Sequence, residues 1–336
     1  MKIVSTVGLT PEHRKIIQDA AGDAELDDRE CRSQAEITAL AGNGGCDVLF
    51  SFRAPDDLMK NSPQLKWIQL LSAGADHLLR GQVAERTDVA VTTASGIHSV
   101  AIAEYTIGSM LAFAHGFHIT SRSQFRREWK RDNFMRTLES TRGKTLGVIG
   151  YGSIGRETAR IAQALGMDVF ALKRDPAAHA DPGWNPPGVG DSEGIIPKRF
   201  YGPGECAAIL RESDYITVTL PLTATTRKFI GRREIAAMRP HAYIVNIGRG
   251  EVIDQDELIE ALKGKRIGGA GLDVFEREPL ESESALWDIE TAILTPHMSG
   301  AHRDYNTNAC HLFADNLRRF RAGQPLYNLV DRGLGY

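Results

Sequence analysis

Three polar residues in the last third of the chain are of the types that move protons and grip anions. His297 lies in LTPHMSG, residues 294–300. An imidazole titrates near neutral pH and can serve as a general acid. Glu278 lies in GGAGLDVFEREP, residues 268–279. A carboxylate on the second ring nitrogen would stabilise the imidazolium and fix the ring. Arg249 lies in NIGRGEVID, residues 246–254, and a guanidinium takes a carboxylate in a two-pronged grip. Taken singly, each has an ordinary alternative. The histidine would be packed or solvated, the glutamate one of several exposed acids in REPLESES, and the arginine a surface cation.

A second chemical signal stands mid-chain, in LGVIGYGSIGRETARIAQALGMDVFALKRDP, residues 146–176. Gly150, Gly152 and Gly155 form GxGxxG between a strand-like run and a helix-like run. The first glycine permits the tight turn, the second lets a pyrophosphate approach the backbone, and the third lets the helix pack on the sheet. The free N–H groups at the helix start, around Ser153 and Ile154, would hold the phosphates. A bare packing turn is the alternative. The end of the next strand selects the cofactor. Cations there pair with the 2′-phosphate of NADP, and a carboxylate accepts the ribose hydroxyls of NAD. Lys173 and Arg174 occupy the strand tip, which favours NADP(H). Asp175 follows at the generic spacing for the ribose acid, so NAD(H) stays open.

These residues need a scaffold of strands alternating with helices. KIVSTV (2–7), CDVLFSF (46–52), LKWIQLLSAG (65–74) and DVAVTTASG (88–96) read as strands, with a helix over PEHRKIIQDAAG (11–22). KTLGVIG (144–150), MDVFALK, YITVTLPL, AYIVNIG, IGGAGLDVF and TAILTPH supply a second series. Such alternation predicts an α/β fold with parallel sheets. VAIAEYTIGSMLAFAHGF, residues 100–117, carries Glu104 and His115 and reads as a buried helix, not a membrane span. Residues 176–197 are rich in Pro and Gly and read as a long surface loop, with a lid or a partner contact as the alternative.

The 336 residues are 42% hydrophobic and 25% charged, with a net charge of -3. Nothing there points to nucleic acid or an anionic membrane. The four cysteines form no CxxC pair, so neither a metal site nor a disulfide framework is expected. The start of the chain has too short an apolar run for a secretory signal, and a cytoplasmic location is expected.

With LLSAGADHL (70–78) these motifs, in this order, closely resemble the D-isomer-specific 2-hydroxyacid dehydrogenase family over essentially the whole chain. The resemblance implies two Rossmann-like domains with parallel sheets. Residues 1–100 and 301–336 would form a discontinuous, flavodoxin-like substrate domain, and 101–300 an inserted dinucleotide-binding domain. The insertion accounts for a mid-chain fingerprint. The implied reaction transfers a hydride between NAD(P)H and a 2-keto acid, such as glyoxylate, hydroxypyruvate or a bulkier acid. The implied catalytic set is Arg249, Glu278 and His297, which match the family motifs residue for residue. Ala73 and Gly74 would offer backbone N–H groups to the substrate carboxylate; His98 would face the substrate or serve packing. Pro221, Thr226, Ile247, Gly248, Asp273 and Gly300 would line the cofactor, with Asp273 at the nicotinamide amide. Formate dehydrogenases carry Gln where Glu278 stands, and phosphite dehydrogenases carry Lys where Ala73 stands. The resemblance also implies a homodimer, with the 100–140 segment and Trp129 at the contact. A dinucleotide-sensing, corepressor-like binding protein on the same fold is the alternative function.

Overall fold

In the computed structural model the described residues are all but 56, 76, 77, 79, 80, 82, 84, 130, 132–137 and 334–336. The chain divides into two units, each built on one parallel sheet. Unit 1 takes Met1–Ile97, Pro182–Pro186 and His302–Tyr336; unit 2 takes His98–Asp181 and Pro187–Ala301.

Unit 1 opens with β1 (Lys2–Ser5), α1 (Pro11–Ala21), β2 (Glu25–Asp28), α2 (Gln34–Gly42), β3 (Val48–Ser51), α3 (Leu58–Asn61), β4 (Trp67–Leu70) and β5 (Ala90–Thr92). The strands lie in the order β2-β1-β3-β4-β5, all parallel. This is the flavodoxin-like winding that the resemblance implies. β3 and β4 are buried throughout, as strands covered on both faces must be. α1 begins on Pro11, with the Thr10 side chain accepting from the His13 N–H, and stops at Gly22 with φ 64, the start and stop signals visible in the sequence. β2, with sequence ELDD, escapes sequence reading. It is an edge strand with no fully buried residue, so no apolar pattern marks it.

Unit 2 continues with α4 (Ser99–Ala114), α5 (Phe117–Arg126), β6 (Thr145–Ile149), α6 (Ser153–Ala164), β7 (Asp168–Leu172), β8 (Arg199–Tyr201), α7 (Cys206–Glu212), β9 (Tyr215–Val218), α8 (Arg232–Ala237), β10 (Tyr243–Asn246), α9 (Gln255–Lys263), β11 (Gly269–Leu272) and β12 (Ala292–Leu294). Its seven parallel strands run β12-β11-β10-β9-β6-β7-β8. The order turns back at β6, which pairs with both β7 and β9. In doubly wound sheets the crevice at that switch, beyond the carboxyl ends of the strands, takes the ligand. One apolar cluster around Ile149, Ile216 and Ile244 covers one face, and another around Val148, Tyr215 and Val245 covers the other. In unit 1, α10 (Tyr305–Arg321) packs against α1 and carries Phe313, which stacks on Phe50 at 4.4 Å.

Two sequence expectations need revision. The apolar stretch 100–117 is not one helix. α4 ends at Ala114, Gly116 takes φ 65, and α5 starts at Phe117 with no buried residue. A left-handed residue ends an α-helix, and glycine adopts that state without steric penalty. Among the described residues no helix is long and apolar enough to cross a membrane. The 176–197 segment lacks regular structure, yet it is not a loose surface loop. Arg156 of α6, 1% exposed, donates to the carbonyls of His179 (2.6 Å) and Asp191. The Tyr151 hydroxyl donates to Asp191 Oδ2 at 2.6 Å, and the buried Glu157 accepts from the Gly190 N–H at 2.7 Å. Burial works against the Asp191 charge. The hydrogen bonds from Tyr151, Ile196 and Ile195 and the Arg156 charge nevertheless hold its carboxyl below the usual carboxylate range. Residues 182–186 count with unit 1, where Trp184 is buried and its indole N–H donates to Asp315 at 2.9 Å. Buried partners of this kind are invisible in a Pro- and Gly-rich composition.

Candidate active site

The site of unit 2 is laid out along the carboxyl ends of its strands. After β6 the chain turns through Gly150, whose φ of 106 suits glycine alone. A Cβ at Gly155 would lie 2.4 Å from the Gly150 carbonyl oxygen, so helix and turn touch there. Among the described residues a Cβ at Gly152 would meet nothing within 4 Å. The space over Gly152 is therefore open, and its small residue is not required by protein packing. No side chain caps α6, and its first intrahelical bond runs from the Arg156 N–H to the Gly152 carbonyl. The N–H groups of Ser153, Ile154 and Gly155 stand ahead of that bond as helix-start donors. An open cradle, an uncapped helix start and its partial positive charge fit a pyrophosphate.

The next turns come from β10, β11 and β12, neighbours in the sheet. Arg249 follows β10. Its Nη1 donates to the Gly248 carbonyl at 2.9 Å, and the Asn246 side chain donates to the Arg249 carbonyl at 3.1 Å. Among the described residues its Nε and Nη2 have no protein acceptor. Gly250 lets this turn touch the segment after β11, since a Cβ there would lie 1.9 Å from the Phe275 carbonyl carbon. In that segment the Phe275 N–H donates to Glu278 Oε1 at 3.1 Å. Glu278 Oε2 accepts from His297 Nδ1 at 2.8 Å. A carboxylate can only accept, so Nδ1 carries the hydrogen and Nε2 is left as the outward nitrogen. The His297 side chain is 53% exposed.

His297 holds a φ of 51, an uncommon state for a residue with a Cβ. The turn that imposes it is pinned by Asp273, which is fully buried. One Asp273 oxygen accepts from Thr295 Oγ1 at 2.5 Å and from the Met298 N–H at 2.9 Å; the other accepts from the Ser299 N–H at 2.9 Å. Its carbonyl takes the His297 N–H at 2.9 Å. The structure thus gives Asp273 a supporting role that its motif did not suggest. Tyr105 of α4, which binds Thr295 at 2.8 Å, was not singled out by sequence at all; only its place in an apolar helix was visible.

The remaining candidates divide by setting. Pro221 and Thr226 lie in one turn, closed by the Thr226 hydroxyl donating to the Pro221 carbonyl at 2.6 Å. Ile247 is buried, and a Cβ at Gly248 would lie 2.6 Å from the Leu220 carbonyl oxygen. His98 at the start of α4 donates from Nδ1 to the Gly300 carbonyl at 3.3 Å, a packing contact within unit 2. Beyond β7, the Lys173 ammonium donates to the Ala178 carbonyl. Burial, then the Arg156 charge, pushes its pKa down. Arg174 and Asp175 are exposed, and Asp175 accepts from the Ala177 N–H at 3.0 Å. In unit 1, Ala73 is exposed in a turn where the Ser72 hydroxyl donates to the Gly74 carbonyl at 2.8 Å. Among the described residues the Ala73 and Gly74 N–H groups have no protein acceptor. Asp76 and His77 of the same motif lie outside the described residues.

Residues 107–299 match the family model of the D-isomer specific 2-hydroxyacid dehydrogenase NAD binding domain. The chain belongs to the D-isomer-specific 2-hydroxyacid dehydrogenases. Outside the matched segment, whole-chain comparisons agree. The chain is 32% identical over 297 residues to an (S)-sulfolactate dehydrogenase of Chromohalobacter salexigens, covering 88% of this chain and 90% of the relative. It is 32% identical over 294 residues to a glyoxylate reductase of Thermococcus litoralis, covering 85% and 82%. A 2-hydroxyacid dehydrogenase of Xanthobacter autotrophicus, solved with NADPH and MES, superposes with a TM-score of 0.79 at 26% identity over 100% of this chain and 99% of that one. Membership in the family makes the protein an NAD(P)-dependent oxidoreductase of 2-hydroxy acids.

Proposed function

We propose that this dehydrogenase reduces a small 2-keto acid with NADP(H), using His297 as the acid, Glu278 as its brace and Arg249 as the anchor for the substrate carboxylate. The observation that carries the reading is the Nδ1–H···Oε2 pair, 2.8 Å long, which leaves His297 Nε2 outward at the carboxyl edge of the sheet. A bound nicotinamide supplies the hydride that the carbonyl carbon receives. His297 Nε2 gives the proton to the carbonyl oxygen as its charge develops, and the Glu278 carboxylate fixes the ring through Nδ1. The Nε and Nη2 of Arg249, which meet no protein acceptor among the described residues, offer the carboxylate a fork that orients the carbonyl. In the reverse direction the same imidazole accepts the alcohol proton.

The Gly150–Gly155 turn would hold the pyrophosphate. Support for NADP(H) comes from Lys173 and Arg174 at the tip of β7 and from the NADPH in the Xanthobacter structure. The relatives named glyoxylate reductase and sulfolactate dehydrogenase support a short, strongly anionic acid. We assign the homodimer contact to α5 and its flank, where Phe117, Phe125 and Trp129 are 58%, 95% and 93% exposed. These exposed apolar side chains support that assignment, and a monomer by sedimentation at micromolar concentration would remove it.

The test is NADPH and NADH oxidation with glyoxylate, hydroxypyruvate and bulkier 2-keto acids. Turnover with at least one acid is expected, and His297→Ala should lower kcat roughly 10²- to 10⁴-fold while NADPH affinity holds. Consumption of none of the acids would leave the binding-protein alternative in place of the enzyme. Near-normal turnover by His297→Ala would remove the assigned acid.

A further inference from the structure

We propose that Tyr105 is a positioning residue for His297: its hydroxyl, acting through Thr295 on the Asp273 carboxylate, keeps the 295–299 turn in the conformation that holds the imidazole against Glu278. This inference rests on the reading of His297 as the acid. Its basis is a directional chain. Thr295 Oγ1 donates to Asp273 Oδ1 at 2.5 Å. A hydroxyl has one hydrogen, so in the 2.8 Å contact between Tyr105 and Thr295 the tyrosine is the donor. The order is therefore Tyr105 O–H to Thr295 O–H to Asp273 carboxylate, and a chain that ends on a charge strengthens each link. Burial pushes the Tyr105 hydroxyl up to about 12, so it stays a donor across the working pH range.

The helix that carries Tyr105 is itself fixed. A Cβ at Gly271 would lie 2.4 Å from Ser109 Oγ, so α4 rests directly on β11. Ser109 Oγ also meets the Tyr243 hydroxyl at 2.9 Å. Tyr105, one turn before Ser109, lies on the same face of α4. At the helix start, His98 Nδ1 donates to the Gly300 carbonyl at 3.3 Å. The turn carrying His297 is thus held to α4 at both ends, Thr295 and Gly300. It needs holding, because His297 keeps a left-handed φ of 51 that an unconstrained histidine would leave. Freed of Tyr105, the Thr295 hydroxyl can turn away from Asp273, and the turn can relax toward ordinary backbone.

The experiment is a double-mutant cycle in the full-length enzyme with NADPH and its best 2-keto acid. Tyr105→Phe should lower kcat roughly five- to tenfold, with NADPH affinity and melting temperature near wild type. Thr295→Val should give the same loss, and Thr295→Ser should recover most of it. In a His297→Ala background, Tyr105→Phe should cause no further loss, because its effect passes through the missing ring. A Tyr105→Phe enzyme with kcat within twofold of wild type would overturn the proposal. So would a loss repeated in full in the His297→Ala background, or one that follows NADPH affinity. An active His297→Ala enzyme would instead remove the acid assignment itself, a separate outcome.

Discussion

Replacing Gly250 by alanine tests the claim that backbone contact between two turns builds the site. The added Cβ would lie 1.9 Å from the Phe275 carbonyl carbon, 2.0 Å from its oxygen and 2.5 Å from the Glu276 nitrogen. Carbon atoms pack at about 3.5 to 4.0 Å, so one backbone must retreat by roughly 1.5 Å. Neither neighbour is a flexible side chain that could swing aside. Both turns carry residues of the proposed site: Arg249 precedes Gly250, and the Phe275 N–H holds Glu278 Oε1 at 3.1 Å. Overpacking of this kind costs about 1 to 3 kcal/mol, and a displacement of roughly 1 Å at a reacting group costs about 10²-fold in rate. Gly250→Ala should therefore melt several degrees lower and lose roughly 10²-fold in kcat/KM. NADPH affinity should fall much less, because the Gly150–Gly155 turn belongs to β6 and α6. The assay is NADPH oxidation followed at 340 nm with a 2-keto acid in saturating cofactor, beside a thermal melt. A variant with wild-type melting temperature and kcat/KM within twofold would refute the reasoning, since it would mean that the two turns are not in contact.

Gly152→Ala should behave in the opposite way: with nothing among the described residues within 4 Å of its Cβ, the melt should stay within a few degrees while NADPH affinity falls at least about tenfold, because the methyl would take the space proposed for pyrophosphate. Equal affinity in calorimetry would show that no phosphate approaches that backbone. At the tip of β7, Lys173→Ala together with Arg174→Ala should reduce the preference for NADPH over NADH about tenfold or more, the loss of charge-assisted phosphate contacts. Equal losses for both cofactors would undo the phosphate assignment.

Much of this was readable without coordinates, for a definite reason. Strands of a parallel sheet are buried on both faces, so VLFS, YITV and YIVN announce themselves as apolar runs. GxGxxG is legible because a strand-to-helix turn and a close approach both demand glycine at fixed spacing. A polar edge such as ELDD at β2 carries no such mark, and RFY at β8, three residues long, is too short to show a pattern. The 176–197 segment offers only Pro and Gly to a reader of sequence. Its partners, Arg156 and Glu157 of α6 in unit 2 and Asp315 of α10 in unit 1, lie far from it in sequence and are identified only by the tertiary structure.

Residue identity and order settled the chemistry on offer: an imidazole, a carboxylate, a guanidinium and a glycine turn, each beside a strand end. Tertiary structure decided how that chemistry is aimed. The pairing of His297 Nδ1 with Glu278, the left-handed turn pinned by Asp273 and the link from Tyr105 all join segments that lie far apart in sequence. Local propensity cannot encode them, because a hydrogen bond between distant residues depends on where the sheet brings their backbones and not on the neighbours either one has in the chain.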